Sequence, residues 1–284
     1  MGRMTTPVPP SPSDSTPPDR ATGTARTVPD RRSALRAGAG LAVGAIATAC
    51  SPGPTAVRPP FSSRTADNGS PGSGIQAPRP RSIPGQPDQI THGPRDRPRV
   101  ALTFHGEGDP SLATAILERA EHAGARITVL AVGSWLDEHP DIARRILRGG
   151  HDLGNHTQRH LAINTMSEAD ARAEIQGCAD RLRRLTGSIG TWFRPSRAPR
   201  ATPLVARLAH DVGYPHVLSY DVDSLDYTSP GARAITHRVL EEVRKGSVVS
   251  LHFGQADTVV ALPAILHALD DRGLAAVTTT ELLS

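Results

Sequence analysis

Regular apolar spacing begins at about Arg99 and continues to the C-terminus of this 284-residue chain. The β-rich run "RVALTF" (residues 99–104) is followed by Leu112, Ile116, Leu117 and Ala120, one face of a helix that stops at Gly124. A strand "ITVLAV" (127–132) comes next, then a helix marked by Ile142, Ile146 and Leu147 before Gly149 and Gly150, and "HDLGNH" leads to a strand end. Ser167 with Asp170 starts a long helix in capping-box fashion, with Ile175, Cys178, Leu182 and Leu185 at helical spacing. The alternation continues through "GTWFRP", a helix near 204–210, "HVLSYDV", a helix over 234–243, "GSVVSLHF", a helix over 259–269, and "AAVTT". Six or seven strand and helix repeats without hairpin signals predict an α/β domain of parallel strands, either an open doubly wound sheet or a barrel. Function in either architecture sits at the C-terminal ends of the strands.

Ahead of Arg99 this periodicity is missing. Residues 51–98 are rich in Pro, Gly and Ser and cannot bury enough surface to offset their ordering entropy, which predicts a disordered tether reaching roughly 40 Å as a flexible coil. Further upstream, Arg31 and Arg32 precede a weakly apolar run over 37–49, which suits a signal-peptide core and is too short to span a bilayer. This stretch resembles a twin-arginine export signal, and its ending "ATAC" looks like the lipobox at which bacterial lipoproteins are cleaved and lipidated, here on Cys50. The expected organisation is therefore a lipoprotein signal over 1–50, a tether over 51–98 and one domain over 99–284. The expected location is the extracytoplasmic face of the membrane, anchored through Cys50. Cys178, the other cysteine, is then left without an intramolecular partner and reads as a small core residue.

The formal charge of +4 suggests a nucleic-acid partner only until it is located. Six Arg stand against three Asp in residues 1–50, which leaves a balance near zero for the domain, and no basic stretch is interleaved with aromatics. Nucleic-acid binding loses its electrostatic footprint. The polar residues of the domain are more telling. His105 follows "ALTF", His156 follows "DLG", Arg194 follows "TWF", Asp221, Asp223 and Asp226 follow "HVLSY", and His252 closes "SVVSL". All fall at the same end of their strands, whereas histidines scattered through a core would have no reason to do so. In "GNHTQRH", His156 and His160 are four residues apart, so on a helix both imidazoles would reach one metal ion.

These strand ends, in this order, resemble the polysaccharide deacetylase family, metal-dependent carbohydrate esterases that share the chitooligosaccharide deacetylase homology domain. The likeness spans residues 99–284. It implies a distorted (β/α) barrel of about seven repeats, an acetylated polysaccharide as substrate, and zinc or a similar divalent ion; histidine-rich donors by themselves suit zinc but also cobalt or nickel. "NHTQRH" matches the family's His-Ser/Thr-x-x-His metal motif through His156, Thr157 and His160. "FRPSRAP" matches the Arg-Pro motif at Arg194 and Pro195, with Ser196 and Arg197 where Pro-Tyr is usual. "DVDSLDYT" matches through Asp223, Asp226 and Tyr227, and "GSVVSLHFG" supplies His252, the family's general acid, with Ser250 in place of a leucine.

The first motif departs from the family. Where Thr-Phe-Asp-Asp-Gly-Pro would provide the catalytic base and a metal ligand, the chain reads "TFHGEGDP", with His105 and Gly106 at those positions. His105 is expected to complete a three-histidine metal site with His156 and His160, and Asp109, or in second place Glu107, to return from the lengthened loop as the base. His252 would protonate the leaving amine, with Arg194 and Asp226 orienting the base and the acid respectively. The reaction expected is removal of acetyl groups from a cell-wall or related polysaccharide by a monomer; the competing reading is a catalytically silent member that only binds glycan.

Overall fold

The computed structural model describes residues 76–284. The expected export signal, with Arg31, Arg32 and Cys50, lies outside the described residues. The strands are β1 (Gln89–Ile90), β2 (Arg99–Gly106), β3 (Thr128–Ala131), β4 (Asp152–Asn155), β5 (Val217–Leu218), β6 (Val222–Asp223), β7 (Val248–His252) and β8 (Ala275–Val277). The helices are α1 (Pro110–His122), α2 (Gly133–Glu138), α3 (Pro140–Arg148), α4 (Glu168–Thr186), α5 (Pro203–Val212), α6 (Ala232–Glu242), α7 (Ala256–Asp271) and α8 (Thr279–Leu282).

Every ladder between these strands is parallel, as the absence of hairpin signals implies, and the order is β4-β3-β2-β7-β6, with β8 beside the first residues of β2. Phe193 bridges Asn155 on one side and Val217 on the other, which carries the sheet from β4 to β5, and β5 pairs with β1. An antiparallel bridge from His92 to Ser247, at the foot of β7, then closes the ring. The result is a distorted α/β barrel.

Three expectations change here. The tether was expected to run to residue 98, but residues 76–98 are folded onto the domain: Ala77 and Ile90 are buried, the Ala77 amide donates to Thr186 O, and β1 completes the barrel. This strap escapes a periodicity reading because it contributes single apolar anchors between prolines. The stretch "GTWFRP" is not a full strand, since Gly190 has φ 85° and Pro195 has no amide to donate, so pairing shrinks to the bridges at Phe193. "HVLSYDV" is likewise split into β5 and β6.

Helix starts follow their caps. Ser167 Oγ accepts from the Asp170 amide at the head of α4, and Gly187 ends that helix at φ 76°, a left-handed conformation open to glycine without strain. Cys178 is fully buried on α4, its thiol pushed up to about 12 by burial, and it acts as a core residue. On β2 the period-2 alternation sends Val100, Leu102 and Phe104 into the core beneath the helices. The opposite face, Ala101, Thr103 and His105, looks into the barrel, where Ala101 packs with Leu130, Trp192 and Val248. That interior is apolar at the strand starts and polar at the strand ends.

Candidate active site

The register of β2 on β7 sets Thr103 opposite Ser250 and His105 opposite His252. In consequence the His105 and His252 rings stack, with centroids 4.3 Å apart and planes at 15°. His105 Nε2 lies 3.0 Å from Ser250 Oγ, and its Nδ1 lies 2.7 Å from His156 Nε2. His156 Nδ1 donates to Arg194 O at 3.0 Å, which leaves the His156 Nε2 lone pair facing inward. Burial holds the pKa of both His105 and His156 well below the ordinary imidazole value, with neighbouring histidines adding to the effect. Both rings are therefore neutral lone-pair donors at neutral pH.

His156 and His160 do converge, although by a route other than the expected helix. Chain direction reverses after β4 through Thr157 at φ 69° and His160 at φ 54°. Such left-handed residues need external support. Asn155 supplies it: its Oδ1 accepts from the Thr157 amide at 2.8 Å, while its Nδ2 donates to Ile175 O and Tyr214 Oη. One nitrogen each from His105, His156 and His160 then falls within 4.8 Å of the others.

This donor set suits a divalent cation. Three imidazoles from two segments, β2 and the turn after β4, match a catalytic site with an open position. The outer nitrogens are held as metal-binding histidines usually are, His156 Nδ1 by a carbonyl and His160 Nδ1 by Glu107 Oε1 at 3.1 Å. Two nitrogens bound to one zinc stand about 3.3 Å apart, so the His105 and His156 rings need only a small separation from their present contact.

Asp109 is not in this cleft. Its carboxylate accepts from the Ser111 amide at 2.8 Å as the N-cap of α1, with Pro110 in the first turn, and the side chain is exposed. The expectation that Asp109 serves as the base is corrected accordingly: the helix cap holds it outside. Glu107 is the acid that enters, lining the cleft against His160, which lowers its pKa through their hydrogen bond. The loop between them is pinned by Trp135 Nε1, which donates to Gly108 O at 2.8 Å. Gly108, at φ 93°, sits so close to Gly254 that a Cβ would fall 2.6 Å from the Gly254 Cα.

Asp226 and His252 form the dyad expected of them. The Asp226 carboxylate is fully buried and accepts from His252 Nδ1 at 2.6 Å, the His252 amide at 2.8 Å and Thr258 Oγ1 at 2.6 Å. Nε2 of His252 is thereby the ring nitrogen left for the cleft. Thr258, on α7, carries no sequence signal that separates it from a core threonine. Arg194 departs from its expected part. It is fully buried and donates to Leu218 O, Ser219 O and Thr103 Oγ1, with His105 Nε2 at 3.4 Å, and among the described residues it pairs with no carboxylate. Burial brings its pKa down to about 10, so it stays charged. Its hydrogen bonds run to Leu218 O, Ser219 O, Thr103 and His105, and none reaches Glu107 or Asp109.

The cleft these residues share measures about 400 Å³, with His105, Glu107, His160, Ser250 and His252 in its wall and Tyr227 exposed on its lip. Residues 92–217 match the family model described as polysaccharide deacetylase. A peptidoglycan-N-acetylglucosamine deacetylase of Bacillus cereus is 30% identical over 202 residues, which cover 67% of this chain and 90% of the relative. The chain belongs to the polysaccharide deacetylase family. A chitooligosaccharide deacetylase of Azorhizobium caulinodans is 26% identical, over 68% of this chain and 97% of that one. Relatives bearing both names are thus deacetylases, which are hydrolases. Among solved structures, a mutant of a Bacillus anthracis CE4 family pseudoenzyme, with restored enzymatic activity, superimposes with a TM-score of 0.66 at 25% identity, covering 70% of this chain and 72% of that one. A peptidoglycan N-acetylglucosamine deacetylase gives 0.65 at 27%, covering 69% and 92%. This chain's neighbours therefore include both named deacetylases and a named pseudoenzyme.

Proposed function

We propose that this family member is a metal-dependent hydrolase that removes acetyl groups, as N-acetyl, from a cell-wall or related polysaccharide. The observation that carries the reading is the Asp226–His252 dyad, closed at 2.6 Å, with His252 on the same cleft as His105 and His160. A protein that only bound glycan would have no use for an imidazole held in one tautomer by a buried carboxylate. His105, His156 and His160 would hold the ion, zinc being the best match to three imidazoles. Such an ion, when bound, polarises a carbonyl and acidifies a water. Glu107, its pKa lowered by the hydrogen bond from His160, is the cleft acid that would take a proton. His252 delivers a proton from Nε2 to the leaving nitrogen, while Asp226 holds Nδ1 and stabilises the charged ring.

A second reading has an observation of its own. Arg194 is a buried cation whose acceptors are two carbonyls, a hydroxyl and an imidazole, which is how the site would look had it lost its catalytic base and kept its glycan cleft. Acetate release from N-acetylglucosamine oligomers and peptidoglycan by zinc-loaded protein separates the two. Release that falls by roughly 10² to 10⁴ in Glu107→Gln is expected. Binding of these glycans without release by the wild type would establish the silent member.

A further inference from the structure

One charged side chain of the cleft forms no ion pair with the residues of this chemistry and acts on Glu107 only as a neighbouring positive charge. Arg197 lines the cleft and is exposed, and its backbone sits at φ 52°, in the left-handed region that side chains other than glycine adopt only when their surroundings impose it. The neighbouring Ser196 imposes it: fully buried, it accepts from Thr157 Oγ1 at 3.0 Å and donates to Leu161 O. The turn that builds the metal-binding histidines therefore also fixes the strained residue beside them. Among the described residues no carboxylate pairs with the Arg197 guanidinium. The two acids of the cleft are engaged elsewhere, Glu107 by His160 and Asp223 by the Leu225 amide at 3.1 Å and Tyr220 Oη at 3.5 Å.

A guanidinium at the mouth of a cleft, on a fixed backbone and with the local acids hydrogen-bonded to other groups, is complementary to an anion brought by the ligand. Resting on the deacetylase reading, we propose that Arg197 makes the cleft selective for glycans that carry a carboxylate beside the acetylated sugar, over neutral N-acetylhexosamine polymers. Two sources share this chemistry: the lactyl ether carboxylate of a muramic-type residue and the C6 carboxylate of a uronic acid.

The test compares zinc-loaded wild type, Arg197→Gln and Arg197→Lys on three oligomers of matched length. These are neutral N-acetylglucosamine oligomers, peptidoglycan strands stripped of their peptides, and alternating N-acetylglucosamine–glucuronate oligomers. Acetate release and Kd are read on each, with Tm as a check on folding. The wild type should prefer an anionic oligomer, and the arm it prefers identifies the carboxylate. In Arg197→Gln the anionic-to-neutral ratio of kcat/KM should fall roughly fivefold to tenfold, with part of it kept in Arg197→Lys and the preference shrinking as salt rises. An unchanged ratio in Arg197→Gln overturns the proposal. If no oligomer releases acetate, the hydrolase reading fails by itself; a Kd preference for the anionic oligomers that Arg197→Gln abolishes would still support the subsite, and equal Kd values would overturn it.

Discussion

Asp226→Asn exchanges one carboxylate oxygen for an NH2 group where three donors converge. Oδ2 accepts from the His252 amide and Thr258 Oγ1, and Oδ1 accepts from His252 Nδ1. An amide offers a single oxygen. Placed at the Oδ2 position, it keeps two of the three bonds and sets its NH2 against His252 Nδ1, which must then give up its hydrogen. The neutral ring carries its proton on Nε2, and a second proton at Nδ1 would face a donor, so the imidazolium needed for protonating a leaving amine is disfavoured. Loss of a general acid costs about 10² to 10⁴ in rate, or about 3 to 5 kcal/mol of barrier. Stability should fall by only about 1 to 3 kcal/mol, the range for one hydrogen bond to a buried charge. The assay is acetate release at saturating zinc beside thermal unfolding, with Thr258→Val as the control that removes a bond to Oδ2 and leaves the His252 contacts. That control should lose stability by about 1 kcal/mol and keep most of its rate. Asp226→Asn with near wild-type kcat/KM and a lowered Tm would refute the acid assignment and leave the dyad as a structural brace.

Purified domain should carry about one divalent ion by elemental analysis; His156→Ala should abolish it and His105→Ala weaken it, and unchanged content in the latter would return His105 to a packing role. Asp109→Ala should lower Tm through loss of the α1 cap and leave acetate release intact, whereas a large rate loss at unchanged Tm would reinstate Asp109 as the base. Asp152 is buried, and burial raises its pKa, so the folded state holds that proton more tightly than the unfolded chain and stability falls as pH rises from the ordinary aspartate pKa through the raised one. Asn retains an oxygen for the Thr280 amide and Trp192 Nε1, so Asp152→Asn should raise Tm more at about pH 7 than at about pH 3, and equal gains would count against this accounting. Cys50→Ala should release the protein into the medium if the anchor is lipidated Cys50, and retention at the membrane would point to another anchor.

Much of this molecule could be read from residue order because local rules governed it. β2 is legible from "RVALTF", and its alternation alone places His105 inside the barrel. The convergence of His156 and His160 was legible as chemistry but not as geometry. Their left-handed turns depend on Asn155 bonding to Ile175 O and Tyr214 Oη, partners that spacing cannot supply. Choosing between two acids in one loop is harder still, since Glu107 and Asp109 are only two residues apart. A usable signal did exist: Asp before Pro at a helix start is a capping pattern, and a carboxylate engaged there is lost to the cleft. The strap was missed because a single Ile90 has no period.

The strap also fixes an orientation. Gln76 and Ala77 meet the C-terminal end of α4 through Gly187 O and Thr186 O, and Ser188 Oγ donates to Pro78 O, all at the end of the barrel where strands begin. The histidines and Arg197 lie where strands finish. Whatever holds this domain through residues upstream of Gln76 takes hold of its underside. The chain therefore enters the described domain at the end opposite its cleft.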